Sequence, residues 1–159
     1  MRGMELLKLS RDEFISDMGL FSLSDEFKDK FYQYVEYHKE FLGESDVYYE
    51  HYLLLALTPE QRLALGFSYF HIDSRTKHCE LFAVYVEHEY RSKGIASTLL
   101  SEALTIAAQQ QACSIRAGFT GKGIAKGKLV QSFLCRAEHF RPRIQFEIIA
   151  DNKHMLNDR

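Results

Sequence analysis

Arg91, Gly94 and Ala96 follow one another as Arg-x-x-Gly-x-Ala, with Ser92, Lys93, Ile95 and Ser97 between and beside them. Two cations next to two residues with little or no side chain is a pattern suited to an anion. Leu99, Leu100, Ala103, Leu104 and Ala107 come directly afterwards at helical spacing, so the small residues sit where a loop becomes a helix. The first backbone N–H groups of a helix have no intrahelical partner, and the helix dipole adds attraction for negative charge. Glycine and alanine put no bulk between those amides and a phosphate. The chemistry implied is the cradling of a pyrophosphate. The order differs from the dinucleotide fingerprint Gly-x-Gly-x-x-Gly and lacks the Gly-Lys-Ser/Thr of a P-loop. A plain surface turn with two basic residues is the alternative, and it leaves the placement of the small residues unexplained.

A strand must deliver this turn. Leu81 to Val86 is a continuous run of apolar, aromatic and β-branched residues, which predicts a buried strand. Glu80 stands at its head beside Leu81 and Phe82, and a glutamate in mid-strand needs a reason to be there. Upstream, Met4–Leu9 predicts a short strand and Arg11–Met18 a helical turn or two closed by Gly19. Ser24 reads as an N-cap, with Asp25 and Glu26 favouring the dipole. Phe27, Phe31, Tyr34, Val35, His38, Phe41 and Leu42 then recur at three and four residues, the clearest amphipathic helix in the chain, closed by Gly43. Its aromatic stripe is expected to pack on a sheet.

Tyr48–Leu57 and Leu63–Ile72 read as strands joined by the turn Thr58-Pro59-Glu60-Gln61, and Gly66 marks a bulge or a close approach. After the turn at Asp73–Thr76, Lys77–Val86 completes a meander of antiparallel neighbours. Beyond the motif helix, Ala112–Phe119 predicts a strand reached by a right-handed parallel crossover. Lys128–Glu138 has helical spacing, Pro142 blocks its continuation, and Arg143–Ile149 alternates as a last strand. The order β-α-α-β-β-β-α-β-α-β describes an α/β (mixed α+β) fold, a central mixed sheet with helices on both faces, in a single domain over residues 1–159.

Arg91-x-x-Gly94-x-Ala96, five residues after a buried strand ending at Val86, resembles the GNAT superfamily of acyl-CoA-dependent N-acetyltransferases. The close likeness runs from about Glu80 to Gln110, and beyond it rests on the order of elements. The resemblance implies a GNAT-like three-layer fold and transfer of an acetyl group from acetyl-CoA to an amine in a ternary complex, without a metal. It assigns the pantetheine to the backbone of Val84, Tyr85 and Val86. The pyrophosphate falls to Arg91, Ser92, Lys93, Gly94, Ile95, Ala96 and Ser97. Glu80, eleven residues before Arg91, matches the base of histone-type members. The alternatives for it are a solvated edge-strand carboxylate or a partner for Arg75 or Lys77, and Glu87 is the second choice of base. The likeness breaks in the last helix. Lys128 stands where the family carries Asn, Cys135 where it carries the Tyr that protonates the CoA thiolate, and His88 where a Pro follows the central strand. Cys135 is a candidate proton donor; the plainer reading is a buried helix cysteine.

Composition bounds the rest. A formal net charge of −2 argues against nonspecific nucleic-acid binding. No stretch approaches the roughly 20 apolar residues of a membrane span, and Met1–Ser10 lacks an apolar leader core. Three cysteines without metal spacing suit reduced thiols in a cytoplasmic protein. The seven histidines show no ligand spacing; His38 is expected in the core, and His71 and His78 at the surface. The acceptor, a small molecule or a protein lysine or N-terminus, is not legible, and a homodimer is left open. The rival from another class is a GNAT-fold protein that holds acyl-CoA for regulation or interaction without turnover.

Overall fold

A computed structural model describes residues 3–119 and 124–150. Strand β1 (Glu5–Ser10) leads into helix α1 (Arg11–Asp17) through a capping box, in which Ser10 Oγ accepts from Glu13 N at 3.1 Å and Glu13 Oε1 accepts from Ser10 N at 2.7 Å. Ser24 caps helix α2 (Asp25–Phe31), accepting from Phe27 N at 3.0 Å. The expected continuous helix is broken in register. Tyr32–Glu36 forms a π-helical turn before α3 (Tyr37–Leu42), and Gly43 closes the run at φ 57°. The remaining elements are β2 (Tyr49–Thr58), β3 (Leu63–Asp73), β4 (His78–Val86), α4 (Ile95–Gln109), β5 (Ser114–Phe119), α5 (Ile124–Glu138) and β6 (Gln145–Ala150).

The described strands form one six-stranded sheet in chain order. β1 to β4 are antiparallel, whereas β5 lies parallel to β4 and β6 parallel to β5. Two apolar layers hold it. On one face Phe14, Phe27, Phe31 and Val35 from α1, α2 and the π turn meet Leu53, Leu55, Phe67, Tyr69 and Tyr85. On the other, Ile95, Leu99, Ala103, Leu104 and Ala107 of α4, with Phe133 and Ala137 of α5, cover Leu54, Phe70, Cys79, Leu81 and Ile115. Each fully buried Leu or Phe in these layers contributes on the order of 1.5–3 kcal/mol. The aromatic stripe of residues 27–35 therefore packs on the sheet as expected, while Tyr37 and Phe41 point outward and are exposed.

Two local devices shape the site. The β3–β4 register jumps from Tyr69↔Ala83 to Phe70↔Leu81, which makes Phe82 the extra residue of a β-bulge. Cys79 and Leu81 face the α4 side, so Glu80 faces the opposite side, and beyond the bulge Tyr85 does too. In an uninterrupted strand residues 80 and 85 would lie on opposite faces. The second device is Gly66, where a Cβ would stand 2.4 Å from the carbonyl oxygen of Tyr85. Only glycine lets β3 approach the end of β4 this closely. The sequence's two alternatives for this glycine both hold, since the β2–β3 register also shifts beside it.

Candidate active site

The motif residues form a clasp at the start of α4. Ser92 and Gly94 both take left-handed backbone, at φ 64° and 84°, and the turn delivers Gly94 as the N-cap of α4. Ile95, Ala96 and Ser97 are the first three helical residues, so their N–H groups lie ahead of the intrahelical ladder, which Thr98 N joins by bonding Gly94 O at 3.0 Å. A Cβ built on Gly94 would meet nothing within 4 Å, so the ground before these amides is open. Arg91 Nε donates to Val86 O at 2.8 Å, tying the turn to the tip of β4. Arg91, Ser92 and Lys93 are exposed. Preformed amides, two cations and open space suit a pyrophosphate.

Beside this clasp the sheet comes apart. β4 and β5 pair from His78↔Ser114 to Leu81↔Ala117 and no further, although β4 runs on to Val86 and β5 to Phe119. Ala83 to Val86 are paired with β3 on one edge and have no β5 partner on the other. Val84, Tyr85 and Val86 thus border a gap whose edge offers backbone donors and acceptors, and the helix start stands at its end. The bulge at Phe82 marks where the parting begins. Tyr85 is otherwise engaged on the α2 side, where its hydroxyl donates to Glu87 Oε2 at 2.9 Å. Burial first, and that bond second, push its phenol up from the ordinary tyrosine range. Glu87 also accepts from Ser24 Oγ, the cap of α2.

Glu80 is neither an edge-strand carboxylate nor a partner of Arg75, which pairs instead with Asp73 at 2.9 Å. It lies on a central strand with its side chain 25% exposed. His78 Nε2 lies 3.0 Å and Arg116 Nε 3.1 Å from its Oε1. His78 Nδ1 in turn meets Ser114 Oγ at 2.7 Å. Glu80 belongs to a polar row that crosses the sheet, His51↔His71↔Glu80↔Arg116↔Glu147 in register. His71, expected at the surface, is buried in it, and His78 is half-buried. His38 Nε2 from α3 meets His71 Nε2 at 3.3 Å. Burial foremost, then the neighbouring His38, His51 and His78, pull the His71 imidazole down to about 3. At the end of the row Asp46 Oδ1 meets His51 Nε2 at 2.5 Å, and His51 Nδ1 meets the Tyr69 hydroxyl at 2.6 Å. Asp46 and His51 open on a polar cavity of about 420 Å³ that Arg11, Lys39 and Tyr52 also line.

The structure brings Val84–Val86 and Arg91–Ser97 together around one gap, with Glu80 on the strand that forms its wall. Cys135 is elsewhere in character. It is exposed on the side of α5 away from the buried Phe133 and Ala137, with Gln131 Nε2 at 4.0 Å, so the expected buried helix cysteine is corrected. Arg116, His71, His51 and Asp46 escaped the sequence reading. The signal for the first three is a polar residue within an apolar strand, and strand register, which sequence does not give, joins them; Asp46 lies outside the strands and joins through its bond to His51.

The family enters at this point. The sequence pattern of the acetyltransferase (GNAT) family matches residues 9–122, most of the chain, and the chain belongs to that family. Solved structures sharing the fold include a Bacillus subtilis acetyltransferase in complex with CoA (TM-score 0.54, 19% identity, 81% of this chain and 75% of that one). The catalytic domain of the Tetrahymena GCN5 histone acetyltransferase with coenzyme A aligns at TM-score 0.50 and 16% identity over 72% and 68% of the two chains. An aminoglycoside acetyltransferase from an uncultured soil metagenomic sample, with sisomicin, aligns at TM-score 0.51 and 9% identity over 85% and 86%. At these identities the likeness is one of fold, and the last two are named for different acceptors, a histone and an aminoglycoside. No protein of curated function matches the sequence. Among the described residues no helix is long and apolar enough to cross a membrane, and no group of His, Cys, Asp and Glu is arranged to hold a metal.

Proposed function

We propose that this protein transfers an acetyl group from acetyl-CoA to an amine, directly, in a ternary complex. The observation that carries the reading is the parting of β4 from β5 next to an open, cation-flanked helix start. A pantetheine arm suits the gap, where the backbone edge of Val84, Tyr85 and Val86 substitutes for a missing strand. The diphosphate suits the N–H groups of Ile95, Ala96 and Ser97, with Arg91, Ser92 and Lys93 around them. The two relatives with CoA bound support the choice of ligand. Acetyl-CoA would supply the activated thioester, and this chain would do the rest.

For transfer, the amine nitrogen bonds the acetyl carbon, the carbon–sulfur bond breaks, the amine gives up a proton and the sulfur takes one. Glu80 is the proposed acceptor of that first proton. Its Oε1 is held by His78 and Arg116, and its Oε2 has no hydrogen-bond partner among the described residues. Cys135, at the position of the family's tyrosine, is the proposed donor of the second. We place the protein in the cytoplasm, where its three free thiols would stay reduced. A second reading, an acyl-CoA-holding protein without turnover, is favoured by Lys128 and Cys135 at two positions where the family carries other residues. The two readings part on one experiment, CoA release from acetyl-CoA across a panel of amines, with Glu80→Gln alongside. Release that depends on an amine and drops in the variant supports the enzyme; binding without release, on any amine, supports the second reading.

A further inference from the structure

We infer that the acceptor is an α-amino acid, its amine directed to Glu80 and its carboxylate to Arg116. The inference rests on the acetyltransferase reading and names the substrate class of that same site. Helices α1 to α3 pack over β1 to β4 and leave the same face of β5 and β6 uncovered, so Gly118, Gln145 and Glu147 are exposed there. Glu80 and Arg116 sit side by side at the border between covered and open sheet, on adjacent strands in register. The nearest guanidinium nitrogen to each carboxylate is Nε, 3.1 Å from Glu80 and 3.5 Å from Glu147. Nε is shut off from solvent, yet the side chain is 43% exposed, and among the described residues neither terminal nitrogen donates a hydrogen bond. Glu147 is 63% exposed, so water screens much of its charge and the guanidinium is only partly neutralised.

Glu80 Oε1 and Arg116 Nε thus stand 3.1 Å apart, while the other carboxylate oxygen and the terminal guanidinium nitrogens make no hydrogen bond among the described residues. An ammonium nitrogen and a carboxyl carbon joined through a single carbon lie about 2.5 Å apart, so one such molecule can meet both members of this close pair. Gly118 follows Arg116 on the same face, two residues nearer the parting of the strands. A Cβ there would meet only Ile149 O, at 4.0 Å, so this position leaves room between the charged pair and the gap. A diamine or a lysine side chain answers Glu80 but brings nothing for Arg116, which would repel a second cation.

The test compares the twenty common α-amino acids with their α-amides as acceptors, by CoA release, in the wild-type protein, Arg116→Gln and Arg116→Lys. Acetyl-CoA binding is followed by thermal shift in each. At least one amino acid should exceed its own amide by roughly 10–100-fold in kcat/KM, the worth of a charge-assisted hydrogen bond. That ratio should fall to near one in Arg116→Gln and stay partly above one in Arg116→Lys, which keeps the charge and loses the fork. A wild-type ratio near one, a ratio unchanged in Arg116→Gln, or acetyl-CoA binding with no amino acid consumed would each overturn the inference. Failure of the wild-type protein to bind acetyl-CoA would instead remove the acetyltransferase reading on which it stands.

Discussion

His71 should make this protein acid-sensitive in a way that one substitution removes. Its imidazole is 3% exposed, packed by His38 at a ring separation of 5.0 Å and His51 at 5.6 Å. Burial, then the charges His38, His51 and His78 would carry, hold it down at about 3 in the folded chain, while Asp46 pulls weakly the other way. Unfolded, it titrates near 6.5. The unfolded state therefore binds the proton first as pH falls. The stability contributed by neutral His71 is complete above about 6.5 and is lost progressively between there and about 3. At pH 5.5 the loss is about 1.4 kcal/mol, which for a chain of this size lowers Tm by about 3–6 °C relative to pH 7.5. His71→Gln removes the titrating group. It will cost stability at every pH, but the gap in Tm between wild type and variant should narrow by that amount from pH 7.5 to 5.5. Thermal unfolding followed by circular dichroism across this range measures it. Parallel curves of Tm against pH for the two proteins would refute the reasoning, and would mean that His71 takes up its proton in the folded state.

Glu80→Gln should keep acetyl-CoA binding and lower turnover at pH 7 by about 10²–10⁴-fold, a deficit that shrinks as pH rises and free amine becomes available; full activity at pH 7 would reduce Glu80 to an ion-pair partner of Arg116. Cys135→Ser should slow turnover if the thiol protonates departing CoA, since serine is similar in size and far less acidic. Because Cys135 is exposed, Tm should hardly move in that variant, and an unaltered rate and pH profile would leave water or another side chain as the proton source.

The elements and their order were legible because most of them carry one clear period. Phe27, Phe31 and Val35 gave the first long helix, and Ser24 gave its cap. The π turn at Tyr32–Glu36 was hidden because an extra residue in a helix leaves three- and four-residue spacings largely intact. The bulge at Phe82 was hidden for a related reason. Leu81 to Val86 is apolar on both faces, so period two says nothing about where the strand changes phase. The motif from Arg91 to Ser97 was legible because backbone requirements fix its residue types, above all the positive φ of Gly94. Polar residues fared worse. His71 looked like a surface residue because nothing in sequence announces that His38 will reach it from a helix. Arg116 went unnoticed because its meaning comes from Glu80, its partner across two parallel strands joined by a helix. Cys135 sat in a helix with mixed spacing, and only the packing of Phe133 and Ala137 decides which way it turns.

The central claim is that the parted strands and the start of α4 hold acetyl-CoA. Calorimetric titration of acetyl-CoA into the wild-type protein and into Ala96→Glu tests it most directly. Ala96 is the second residue of α4, so the substitution puts bulk and a negative charge among the amides assigned to the diphosphate while leaving a helix-favouring residue in the first turn. Saturable one-to-one binding by the wild type, lost in a folded Ala96→Glu, is the predicted result. Equal binding by both proteins would contradict the account.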